Sequence, residues 1–198
     1  MLLDISAKRT VAPDSTPISV AELRSHLRID GLSDVYEDAY LELLIAAAVG
    51  VCEEYCRIAL ITQTWQAKLD AFDDEIILPR PPVIAVNSIT YVDGDGATQT
   101  LSSSVYQVDT FSRPGRVLKA YNQSWPTTRN QAQGVTITWT TGYGDAEDVP
   151  ESLKSGLKLL CGAWYGLRDS IDPGKPDQMP LPWAVGLLFD QYKSARAW

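Results

Sequence analysis

Histidine is all but missing from this sequence: His26 stands alone among 198 residues. A Ser, His and Asp catalytic set needs an imidazole within reach of both partners. His26 lies in a helical pattern between Arg24 and Arg28, and no G-x-S-x-G turn exists to present a nucleophile. A solvent-facing or capping role is expected for it, and no catalytic residue is assigned. Cysteine is scarce as well. Cys52, Cys56 and Cys161 are an odd set at spacings that suggest no disulfide framework, as expected in a reducing compartment. Structural zinc usually takes four Cys or His ligands, so these thiols, each on an apolar stripe, are expected in the core. No metal and no cofactor is expected.

Long apolar runs are also lacking. None approaches the ~18 to 20 consecutive residues of a membrane span, and Asp4 and Lys8 stand where a signal peptide would be apolar. The reading is a protein of the cytosol at synthesis, with no membrane partner. Basic charge is in deficit, with 17 Lys and Arg against 25 Asp and Glu. Holding DNA by its phosphates takes clustered cations, so tight nucleic-acid binding is not expected. Gly142-Tyr143-Gly144 is followed by neither a third glycine nor a Lys-Ser/Thr pair, which excludes the common phosphate cradles. Asp93-Gly94-Asp95-Gly96 lacks the rest of a calcium loop and its distant Glu, and reads as a hairpin tip. The acidic cluster Asp70, Asp73, Asp74 and Glu75 reads as a solvated loop.

What is present is a change of period along the chain. Ser19 and Glu22 form a capping box, with Ile18 and Leu23 as its hydrophobic staple, opening a short helix to about Ile29. Asp34 and Glu37 offer a second cap. Leu41, Leu44, Ile45, Ala48, Cys52 and Tyr55 then recur at helical spacing through about Arg57. After Leu60 the period becomes two. Strands are expected around Ile61 to Leu69, Glu75 to Leu78, Val86 to Val92, Val105 to Val108, Arg116 to Lys119 and Val135 to Thr141. Arg80-Pro81-Pro82 marks a strand boundary. Pro150 and Glu151 reopen helix, with Leu153, Leu157, Leu160, Cys161, Trp164 and Leu167 as its stripe. Gly156, Gly162 and Gly166 each cost about 1 kcal/mol there relative to alanine, which close approach of a neighbour would offset. A last helix carries Trp183, Val185, Leu188, Phe189 and Tyr192.

The fold class expected is α+β: two N-terminal and two C-terminal helices forming a helical bundle, with an inserted, mainly antiparallel β section. The segments are 1–60 (helical), 61–147 (β-rich) and 148–198 (helices completing the helical domain, then a docking tail). Six tryptophans and nine tyrosines could suggest base stacking, yet Trp65 and Trp139 alternate with polar neighbours as core-facing residues do. Trp183 and Trp198 fit either ordinary packing or anchoring in a partner's pocket.

In order, Ile18 to Leu23, His26 to Asp30, Ala59 to Trp65, Leu78 to Val83, Ser88 to Asp93, Tyr106 to Val108, Trp125-Pro126, Thr141 to Gly144, Val149-Pro150 and Leu181-Pro182 resemble the phage head-tail connector or adaptor family of long-tailed phages and gene-transfer agents. The stretch Glu54 to Ile58 departs from that pattern, because no Thr-Gly or similar helix stop precedes Arg57. The resemblance implies a non-enzymatic virion part: a homo-oligomeric ring, commonly of twelve copies, beneath the portal protein. It would meet a tail-side connector, stopper or tail terminator, assemble in the host cytoplasm, and let DNA pass without specific binding. On that reading Trp183, Phe189, Tyr192, Arg196 and Trp198 dock onto the portal. Asp30, Asp34, Glu37, Asp38 and Glu42 line the channel, where like charge keeps DNA from sticking. Another class, a nucleic-acid-interacting packaging protein, is favoured by the aromatic content and opposed by the charge. A metal-dependent hydrolase ranks third.

Overall fold

The structure is a computed structural model and describes residues 6–29, 35–167 and 182–194. It is an α+β protein whose described residues hold four helices and two antiparallel sheets in two compact units.

The helical unit, residues 15–61 and 144–193, contains α1 (Val20–Leu27), α2 (Val35–Cys56), α3 (Glu151–Leu167) and α4 (Trp183–Asp190). The expected capping box opens α1: the Ser19 hydroxyl accepts from the Glu22 amide at 3.2 Å, and the Ser19 amide donates to the Glu22 carboxylate at 2.7 Å. The Ser19 amide, and the Ser19 hydroxyl donating to the same carboxylate oxygen at 2.9 Å, hold the Glu22 carboxyl below its ordinary pKa. Leu41, Leu44, Ile45, Ala48, Cys52 and Cys56 turn inward from α2, and Leu153, Leu157, Leu160 and Cys161 from α3. Burial pushes the Cys161 thiol up to about 12, which makes it a poor nucleophile. A methyl group on Gly156 would overlap the Phe189 ring of α4, so that glycine does admit a neighbouring helix. Gly166 has open space, and close packing does not account for it.

Both N-terminal helices stop on an arginine. Arg28 has φ 56° and Arg57 φ 57°. In each case the next amide donates five residues back, Ile29 to Arg24 at 3.1 Å and Ile58 to Glu53 at 3.2 Å, the bond of a Schellman stop. The missing Thr-Gly thus does not prolong α2; Arg57 takes the left-handed conformation that glycine usually fills. The buried Glu53 carboxylate secures the following turn by accepting from the Leu60 amide at 2.9 Å. Relieving a left-handed side chain gains about 1–2 kcal/mol, and the looser unfolded chain returns about 0.4–1 of it. Arg57→Gly is therefore expected to stabilise the helical unit by up to about 1.6 kcal/mol in urea denaturation.

Among the described residues the β unit comprises residues 6–14, 62–143 and 194. Its strands are β1 (Ala7–Val11), β2 (Gln63–Leu69), β3 (Glu75–Leu78), β4 (Val83–Val92), β5 (Thr98–Thr100), β6 (Tyr106–Asp109), β7 (Gly115–Lys119) and β8 (Val135–Thr141). One sheet runs β1-β2-β8-β4-β5 and the other β3-β7-β6. Val135, Ile137 and Trp139 are fully buried, as their alternation with threonines predicts. They share a core with Ala67, Leu69, Ile76, Leu78, Val83, Ile89, Leu101 and Val117. Two features depart from expectation. Residues 7–11 form strand β1, paired antiparallel with β2 from Ala7↔Ala67, and so belong to the β unit. Strand β4 begins at Val83, directly after the prolines, and absorbs register shifts between Val83 and Ser88.

Candidate partner-binding surfaces

The structure distributes the residues proposed to contact partners very unevenly. Trp183, at the start of α4, is 79% exposed and is available to a partner. Phe189 is 0% exposed and serves as a core side chain of the helical unit, which corrects its reading as a docking contact. Tyr192 is half-buried, its hydroxyl 2.6 Å from the Ser152 hydroxyl. Arg196 and Trp198 lie outside the described residues.

Of the acids read as channel-lining, Asp30 and Asp34 lie outside the described residues. Asp38 accepts from Arg24 Nε at 2.6 Å, and Glu37 accepts from the Tyr165 hydroxyl at 2.5 Å, so both make bonds inside the helical unit. Glu42 is exposed. The acidic cluster of the β unit is likewise parcelled out. Asp70 accepts from the Gln133 amide at 2.8 Å, Asp74 pairs with Lys119 at 2.7 Å, and Glu75 pairs with Arg116 at 2.9 Å. Asp93 accepts from the amides of Asp95 and Ala97 at 3.1 and 2.9 Å, which is hairpin chemistry between β4 and β5. His26 is exposed in the last turn of α1. Among the described residues no group of three or more His, Cys, Asp or Glu could hold a metal ion, and no helix is long and apolar enough to cross a membrane.

One exposed aromatic had no sequence signal. Phe111, between β6 and β7, is 98% exposed, and Asp109 holds its loop in shape. The Asp109 carboxylate accepts from the amides of Phe111 and Ser112 at 3.0 and 3.1 Å, from the Ser112 hydroxyl at 2.7 Å and from Arg116 Nε at 2.9 Å. These donors hold its pKa well below the ordinary carboxylate range. Because the folded value is depressed, the stabilisation is present above the unfolded pKa of about 3.9 and is lost as pH falls through the folded value. Asp109→Asn is expected to reproduce at neutral pH what strong acid does to the native chain. Chymotryptic cleavage after Phe111, followed by mass spectrometry, should become several-fold faster.

Residues 17–112 match the family model of the phage gp6-like head-tail connector protein. Over that stretch, just under half of the chain, the sequence is similar to that family. No curated protein matches the sequence. Solved structures are similar over nearly the whole chain. The "Neck of empty GTA particle computed with C6 symmetry" contains a chain similar at 26% identity and TM-score 0.79, covering 98% of this chain and 97% of that one. The "Virion of native gene transfer agent (GTA) particle" contains one similar at 25% identity and TM-score 0.77, covering 97% of each. The "Neck of native GTA particle computed with C12 symmetry" contains one at 24% identity and TM-score 0.75, covering 98% and 97%, a likeness of fold.

Proposed function

We propose that this chain is a structural, non-enzymatic subunit of a head-tail connector. Copies form a ring, of twelve in the full assembly, between the portal and the tail of a phage or gene-transfer particle. The ring surrounds a channel through which DNA passes without specific binding. The observation that carries this reading is end-to-end likeness at 26% identity to a chain of a particle neck, joined to the connector family match over residues 17–112. The α+β composition agrees with it. In this proposal the two N-terminal and two C-terminal helices form a bundle that is the body of the ring, and the β section is an insertion into it. The net charge of −8 suits a channel wall, since like charge keeps the duplex from adhering. Glu42, with Asp30 and Asp34, supplies the channel acids, while Glu37 and Asp38 contribute charge already engaged with Tyr165 and Arg24. Trp183 and the segment through Arg196 and Trp198 face the portal, and the opposite side meets a tail-side connector, stopper or terminator.

Electron microscopy of particles made without this chain tests the proposal. Separate heads and tails are expected, and normally joined particles would overturn it. Removing the residues after Lys193 tests the docking part by itself: the subunit should be lost from the neck, and unchanged attachment would refute a portal-facing tail.

A further inference from the structure

Helix α2 is apolar on both sides. Its inner face, Leu41, Leu44, Ile45, Ala48 and Cys52, is buried. On the opposite side Tyr36, Ala39, Leu43, Ala46, Ala47 and Gly50 are exposed, Tyr36 at 87% and Leu43 at 68%. A helix lying on a protein surface ordinarily turns charge to solvent on that side. Here no charged residue interrupts the outer strip for about 21 Å, at 1.5 Å per residue, in a chain with 25 acidic residues. Glu42 flanks the strip, and Glu54 lies beyond its end. A Cβ on Gly50 would find no heavy atom within 4 Å, so this face is also open to a closely approaching backbone.

We propose that the outer face of α2 is the contact by which one copy of this chain holds the next. Three arguments favour a second copy as the occupant. Two copies each carrying a net charge of −8 repel wherever charged surfaces meet, and an uncharged strip is where they can approach. A chain alike over 98% of this one occurs in a neck computed with C6 symmetry, a symmetry that repeats subunit contacts around an axis. Such a contact is heterologous, joining two different patches of the same chain. The helical unit offers a second uncharged exposed patch for this, Ala184 and Leu187 of α4. The inference rests on the ring reading above and specifies the side chains that close it.

The test places a photo-reactive benzophenone side chain at Leu43 of the full chain and illuminates both purified protein and assembled particles. A product of two copies of the chain, identified by mass spectrometry, is the expected result in each sample. Ala46→Glu should reduce that product at least tenfold and leave the melting temperature of the subunit unchanged, whereas Ala46→Ser should leave the product intact. A crosslink to a different virion protein would assign the face to the portal or tail and overturn the inference. Undiminished chain-to-chain product in Ala46→Glu would overturn it too. If the chain is absent from particles, the connector function fails by itself, and the purified sample still decides whether copies meet through α2.

Discussion

Phe189→Ala is expected to destabilise the helical unit by about 3–5 kcal/mol, the range for truncating a fully buried aromatic. The ring is 0% exposed, lies 6.2 Å from the Tyr55 ring, and covers the notch that Gly156 leaves in α3. The notch makes a sharper, signed prediction possible. Gly156→Ala gains about 1 kcal/mol of helix propensity, but its methyl group overlaps Phe189, and overpacking costs about 1–3 kcal/mol. In the native chain the substitution should therefore destabilise. In a Phe189→Leu background the overlap is relieved, only the propensity gain remains, and the same substitution should stabilise. Such a change of sign is the signature of direct coupling between neighbours. Urea denaturation of the four proteins, followed by circular dichroism at helical wavelengths, measures it.

This pair also shows how far sequence reasoning reached. Gly156 in a leucine-rich helix signalled a close neighbour, because the cost of a helical glycine calls for a compensation. The identity of the neighbour was not legible, since Phe189 lies thirty-three positions away, beyond a link whose path no local rule specifies. Local chemistry was read well where both partners sit within one turn, as for Ser19 with Glu22 or the bonds Asp93 makes across its hairpin. Strand β1 was missed for the opposite reason. Ala7-Lys8-Arg9-Thr10-Val11 has no apolar alternation, and its four residues from Lys8 are exposed; it is a strand because β2 offers it a free edge. Arg57 was misleading in another way. Helix stops are recognised by glycine, and an arginine at φ 57° carries no mark of its conformation in the sequence.

The candidate surfaces were legible in kind and less so in detail. Trp183 is exposed as a docking residue must be, while Phe189, on the same short helix, is buried. An aromatic stripe seen in sequence does not say whether its complement is the chain's own core or another molecule. Pairing has the same effect on the acids: nothing near Asp38 in sequence announces Arg24 as its partner, fourteen residues earlier across a break between helices. The outer face of α2 was hidden by the same ambiguity. Ala39, Leu43, Ala46 and Ala47 look like ordinary members of an apolar helix until the buried side is known, and then their exposure is what stands out.

Trp139→Ala should be the most damaging truncation in the β unit, at about 3–5 kcal/mol. Strand β8 has neighbours on both sides, so Trp139 faces Trp65 of β2 and Val86 of β4 and is 0% exposed. Its indole nitrogen has no hydrogen-bond partner in the structure. A buried donor without a partner weighs against folding by about 1–3 kcal/mol, so removing the N–H while keeping an aromatic ring should recover much of what alanine loses. Trp139→Phe is accordingly expected to cost only about 1–2 kcal/mol, the lost packing being partly offset by the donor that disappears. Trp65 provides the internal comparison. It is half-buried, its N–H donates to Gln63 at 3.2 Å, and the Arg80 guanidinium lies 5.1 Å from its ring centre. Trp65→Phe gives up a satisfied donor and part of a cation–π contact, so at this site phenylalanine should recover a smaller share of the loss seen with alanine. Denaturation followed by near-ultraviolet circular dichroism, with both tryptophans replaced in turn by alanine and phenylalanine, compares the two ratios. An equal fractional recovery at the two positions would mean that the Trp139 nitrogen is satisfied after all, and that packing alone sets the energy of the central strand.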